Sequence, residues 1–92
     1  MAATVVQAAF DRLKTQYQVE WMDQEKNRFC LSFYKGREYR ICACEDYAEL
    51  EVRKRFVCWK YWSPVRHAHY DGEDETAADI LEMIEFLISA AE

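Results

Sequence analysis

The residues best equipped for chemistry in this 92-residue chain are four cysteines, Cys30, Cys42, Cys44 and Cys58, and two histidines, His67 and His69. Cys42-Ala43-Cys44 and His67-Ala68-His69 each set two ligand-type side chains on one side of an extended strand, and thiolate with imidazole is a donor set for tetrahedral zinc. The spacing argues against the metal. A zinc knuckle places two residues between its cysteines, so that a tight turn aims both sulfurs at one ion. A Cys/His structural zinc domain is therefore a subordinate reading, and packed or half-exposed thiols without a metal are the expectation. Cys58 beside His67 or His69 has the ingredients of a thiolate and its base. No glycine-rich elbow accompanies it, and Gly36 and Gly72 are too few to build a phosphate-cradling loop. No enzymatic activity and no cofactor are expected.

A second cluster suits binding. Arg53-Lys54-Arg55 lies close to Trp59, Tyr61 and Trp62, and strand parity puts Tyr34 and Arg40 on one sheet face. Cations for phosphates and aromatic faces for bases are what single-stranded nucleic-acid binding requires. Arg53, Lys54, Arg55, Tyr34 and Arg40 are the candidates for that alternative. Against it stand a net charge of −5 and the nearby Glu38, Glu49 and Glu51, which are equally able to take the arginines.

Charge is unevenly laid out. Residues 28–66 carry nine Lys/Arg against five Asp/Glu, whereas residues 67–92 carry eight Asp/Glu and no Lys or Arg. In that acidic stretch Met83 and Phe86 fall away from the apolar helical stripe, among Asp79, Glu82 and Ala90. Apolar anchors ringed by carboxylates have the composition of a contact patch that selects a basic partner. Glu75, Asp79, Glu82, Met83, Glu85 and Phe86 are the leading candidates for it, with Trp59 and Trp62 as a second patch.

These side chains need elements to hold them. Thr4-Val5-Val6-Gln7 reads as a capping box opening a helix over residues 4–18, with Val6, Ala9, Phe10, Leu13 and Tyr17 on one stripe. From Arg28 the period changes to two. A three-residue loop centred on Gly36 pairs Phe33 with Tyr39, Leu31 with Ile41 and Phe29 with Ala43, keeping one face apolar. Residues 50–62 read as a long third strand, with a helix over 47–62 as the competing assignment. Ser63-Pro64 breaks it, and residues 65–70 follow as a short edge strand. Asp71-Gly72 is a turn. Glu73, Asp74 and Glu75 then load the start of a last helix whose core stripe is Ala77, Ile80, Leu81, Ile84, Leu87, Ile88 and Ala91, with Thr76–Asp79 as a local cap if the helix starts later. Trp21 is expected to plug one end of the core.

The expected fold is one α+β domain over residues 1–92. It is a two-layer structure in which an antiparallel meander of three or four strands lies between an N-terminal and a C-terminal helix (α-β-β-β-(β)-α). With no basic, apolar leader at Met1, a cytoplasmic setting and reduced cysteines are expected, although a Cys30–Cys42 cross-strand disulfide is geometrically conceivable. The resulting functional expectation is a small acidic protein-binding module acting as an inhibitor. It would present carboxylates where phosphates lie and so occupy a basic, nucleic-acid-binding surface of a protein partner. Phage-encoded anti-defence (anti-CRISPR-like) inhibitors and bacterial immunity proteins follow this plan, a comparison of size, charge and architecture. An exposed strand edge or tryptophan patch also allows a homodimer.

Overall fold

In a computed structural model, which describes residues 2–22, 28–70 and 75–91, seven elements follow one another along the chain. They are α1 (Ala2–Leu13), β1 (Val19–Trp21), β2 (Phe29–Tyr34), β3 (Glu38–Ala43), β4 (Tyr47–Phe56), β5 (Trp59–His69) and α2 (Ala77–Ile88). The strands form one antiparallel meander in chain order. The class is α+β, with two helices flanking the meander, as the periodicities imply. The sheet has five strands rather than three or four.

The β2–β3 hairpin takes the register that burial demands: Phe33 faces Tyr39, Leu31 faces Ile41 and Phe29 faces Ala43. Gly36 sits at φ +71°, where a side chain would be strained, and Lys35 N–H donates to Arg37 O at 3.0 Å across the loop. Leu31, Phe33, Tyr39, Ile41, Leu50 and Val52 turn to one side of the sheet. There they meet Val5, Val6, Ala9 and Leu13 of α1 and Ile80, Ile84, Leu87 and Ile88 of α2.

Several boundaries differ from expectation. The helix starts at Ala2 and ends at Leu13, so no Thr4–Gln7 capping box forms. Ala2, Val5 and Val6 are all buried, and their packing draws the first turn in. β1 is a short strand on β2, pairing Val19 with Phe33 and Trp21 with Leu31. Three residues are too few to show a period. Trp21 does not plug the core; it is 52% exposed and stacks on Phe10 at 4.8 Å. Leu81, expected in the α2 stripe, is also exposed, because it lies about 100° around the helix from Ile80. The Asp71-Gly72 turn and the acids Glu73 and Asp74 lie outside the described residues.

The largest difference concerns residues 50–62. They are strand rather than helix, but the chain reverses at Val57-Cys58, and β5 then runs straight through Ser63-Pro64. Proline is tolerated because β5 is an edge strand and a bulge at Leu50/Glu51 disturbs the ladder beside it.

The face away from the helices is polar yet partly buried. Arg40 Nε donates to Glu51 Oε1 at 2.6 Å, and Arg28 Nη2 reaches the same oxygen at 3.1 Å. The Arg40 guanidinium also lies 4.6 Å from the Trp62 ring centre. Cys30 and Cys42, expected as free thiols, are joined as a disulfide. Their register sets them directly opposite, with Cα atoms 4.2 Å apart. Cys44 and Cys58 are free. Removing one member of a buried ion pair strands the other without water. Glu51→Ala is therefore expected to lower unfolding free energy by about 3–5 kcal/mol in urea denaturation; a loss below about 1 kcal/mol would contradict the pair's structural role.

Candidate interaction site

Two surfaces stand out, at opposite ends of β5. The first is a groove of about 330 Å³ between the end of β5 and the N-terminal half of α2, lined by Ala68, His69, Tyr70, Glu75, Asp79, Ile80, Glu82, Met83 and Phe86. Five of the six nominated residues of the acidic stretch meet here, while Glu85 does not. It turns toward α1 and pairs with Arg12.

The helix start that builds the groove is fixed locally. Thr76 is the N-cap, with Asp79 three residues on, in a reciprocal capping box: Asp79 N–H donates to Thr76 Oγ1 at 3.1 Å, and Thr76 N–H donates to Asp79 Oδ2 at 3.1 Å. The Thr76 backbone and hydroxyl hydrogen bonds hold the Asp79 carboxyl below its ordinary pKa. Asp79 is thus both a wall of the groove and its cap. Met83 packs half-buried against the core. Phe86 is 50% exposed, with the Arg66 guanidinium 4.5 Å from its ring centre. Arg66 is held there by Phe86 O at 2.7 Å and Ser89 Oγ at 2.8 Å. Tyr70 closes the floor, its hydroxyl donating to Cys44 O. Burial, followed by the nearby Cys44, Asp46 and Glu45, pushes its phenol up to about 12.

The second surface is an arm. β3 pairs with β4 only as far as Val52, yet β4 and β5 continue together through Arg53↔Trp62, Lys54↔Tyr61, Arg55↔Lys60 and Phe56↔Trp59. Four further pairs at about 3.3 Å per residue make a ribbon roughly 13 Å beyond the sheet. It contributes to a shape measuring 44 × 28 × 20 Å. Phe56, Val57, Trp59 and Tyr61 are 68%, 77%, 71% and 47% exposed. Residues 53–62 hold four cations and no acid. At the tip Val57 adopts φ +56°, a conformation costly for a β-branched side chain.

The arm separates residues that the sequence grouped together. Trp59 is its exposed anchor. Trp62 is half-buried at the root, with the Arg40 and Arg53 guanidiniums over its ring at 4.6 and 5.2 Å. Of the nucleic-acid candidates, Arg40 is buried on Glu51, and Arg53 pairs with Glu38 at 3.6 Å. Strand alternation turns Lys54 to the other side of the ribbon from Arg53 and Arg55, while Tyr34 is exposed at the end of β2. Sequence reasoning missed Phe56, Val57 and Lys60. The available signal was apolar residues at both parities of 56–62, which no half-buried strand carries.

No known protein family, curated protein or solved structure matches this chain. Among the described residues, no three or more His, Cys, Asp and Glu side chains converge as a metal site, and no helix is long and apolar enough to cross a membrane.

The capping contribution of Asp79 is complete above the ordinary aspartate pKa and disappears as pH falls through its depressed value. The Thr76 and Asp79 amide resonances should therefore move together with a midpoint below about pH 3.9, the unperturbed aspartate value. A midpoint at or above it would contradict the box. For Tyr70 the sign is opposite: its stabilising neutral form is fully favoured below about pH 10 and is lost as pH rises toward about 12. Tyr70→Phe should remove phenolate absorbance from the late part of an alkaline titration, and an unchanged late part would contradict the burial of its phenol. Val57→Gly should stabilise the domain by about 1 kcal/mol by relieving the tip; destabilisation would show that the side chain packs.

Proposed function

We propose that this domain is a non-catalytic protein-binding module whose α2–β5 groove receives a basic segment, bearing apolar side chains, of a partner protein. The observation that carries the reading is the convergence of Glu75, Asp79 and Glu82 around an apolar floor of Ala68, Ile80 and Met83. Carboxylates at such a rim steer and select a cation, while the floor supplies the desolvated contact that retains it. The narrower form of the proposal is a cytoplasmic inhibitor, of anti-defence or immunity type, that occupies a basic surface its target otherwise offers to nucleic acid. The net charge of −5 supports that form.

The division of labour along α2 decides which variants can test this. Reversing Asp79 would undo the helix cap, and reversing Glu85 would break its pair with Arg12. Glu82 is exposed and belongs to the rim. Glu82→Lys should weaken partner capture about tenfold or more at low salt without changing the circular dichroism spectrum or the melting temperature. Capture from nuclease-treated host lysate by wild-type protein, compared with Glu82→Lys and Phe86→Ser, is the measurement. A stoichiometric partner retained equally by all three would overturn the groove as the site.

The four cations and exposed aromatic rings of the arm favour a second reading, single-stranded nucleic-acid binding. It requires oligonucleotide affinity that falls steeply with salt and is lost in Arg55→Glu with Trp59→Ser.

A further inference from the structure

The groove is read as a receptor for a basic, apolar segment, and the molecule itself displays such a segment. We infer that the β4–β5 arm of one copy docks in the α2–β5 groove of a second, forming a reciprocal dimer that rests on that reading of the groove. Lys54, Phe56, Trp59 and Tyr61 point to the helix side of the ribbon, the side on which the groove opens, whereas Lys60 pairs with Arg55 on the other side. The complementary charges are Lys54 on the arm and Glu75, Asp79 and Glu82 on the groove.

Geometry closes the pair. The arm occupies one end of β5 and the groove the other, and β5 is the outer strand of the sheet. Two copies aligned antiparallel along β5 bring each arm beside the other's groove, so both contacts form about one two-fold axis and no site is left to propagate a fibre. Pro64 lies in the middle of β5 and has no N–H, which interrupts any continuous edge-to-edge ladder. Side chains of the arm therefore carry the contact.

The area is sufficient. Aromatic side chains bury about 150–250 Å² each. Phe56, Trp59 and Tyr61, 47–71% exposed, then offer several hundred Å² per arm. Two arms, together with an equal area of the surfaces that receive them, reach the range of about 1,200–2,000 Å² typical of specific interfaces. Burying them also removes an apolar surface that a monomer would leave in water. While paired, each copy occupies the groove of the other, so a basic partner must displace an arm to enter.

Sedimentation velocity of the full chain from about 1 to about 200 µM, spanning the usual range of weak to moderate self-association, tests the dimer. The wild type should pass from monomer to dimer. Trp59→Ser, the arm variant Lys54→Glu, and the groove variant Glu82→Lys should each weaken dimerisation about tenfold or more, with unchanged circular dichroism. The decisive sample is an equimolar mixture of the two charge variants. In the mixed dimer the charge reversed at position 54 meets the charge reversed at position 82, the other arm and groove are unaltered, and dimer should return. A wild type that stays monomeric throughout, a dimer indifferent to Trp59→Ser, or a mixture that fails to associate would each overturn the inference. Glu82-dependent capture of a partner by a strictly monomeric wild type would overturn the dimer and leave the groove reading standing. A restored mixed dimer without any Glu82-dependent capture would do the reverse.

Discussion

The Glu51 carboxylate holds together the face of the sheet turned away from α1 and α2. It receives Arg40 and Arg28, and Arg40 in turn lies over Trp62 at the root of the arm. The side chains of Arg40 and Glu51 are each only 9% exposed, so their pairing is a condition of burying them rather than a surface ornament. The same residue borders the bulge that lets β5 run past Pro64. One ion pair thus ties the centre of the sheet to the start of the ribbon that leaves it. An isolated two-stranded ribbon is marginal in water, and Trp62, with two guanidiniums over its ring, gives this one a fixed root.

From that root the domain is electrically polar along β5. Four cations and a set of exposed aromatic rings stand at one end, and a three-carboxylate groove with an apolar floor at the other. The −5 net charge conceals this arrangement, because it averages two surfaces of opposite sign. The carboxylates of α2 also differ in their employment. Glu85 joins the two helices, Asp79 caps its own helix while lining the groove, and Glu82 stands exposed at the rim. Similar residues on one helix face therefore contribute to packing, to local structure and to a contact surface in turn.

Much of the fold could be read directly from the chain. Phe29, Leu31 and Phe33 against Tyr39, Ile41 and Ala43 left one register that keeps a face apolar, and the hairpin adopts it. Ile80, Ile84, Leu87 and Ile88 marked the buried stripe of α2, and of the two starts its sequence offered, the later one capped by Thr76 with Asp79 is the one that forms. The arm was hidden for a physical reason. Its turn lies at Val57-Cys58, with no glycine or asparagine to announce a positive φ, and its residues are apolar at both parities because neither side packs on a core. Pro64 was misleading in the opposite sense, since an edge strand beside a bulge can carry it. The groove was half legible. The helix wheel separated Phe86 from the core, but Met83 packs half-buried against it, and only the tertiary structure divides Glu85 from Glu82.

The central claim is that the groove accepts a basic, aromatic ribbon, and contact between the Trp59 ring and the Met83 methyl group reports on it most directly. The measurement is an isotope-filtered NOE experiment on an equimolar mixture of labelled and unlabelled chains. The account predicts an intermolecular cross-peak between the Trp59 indole and the Met83 methyl protons that vanishes in Glu82→Lys. A protein that associates while its Trp59 resonances show no contact with the partner copy's α2 residues would contradict it.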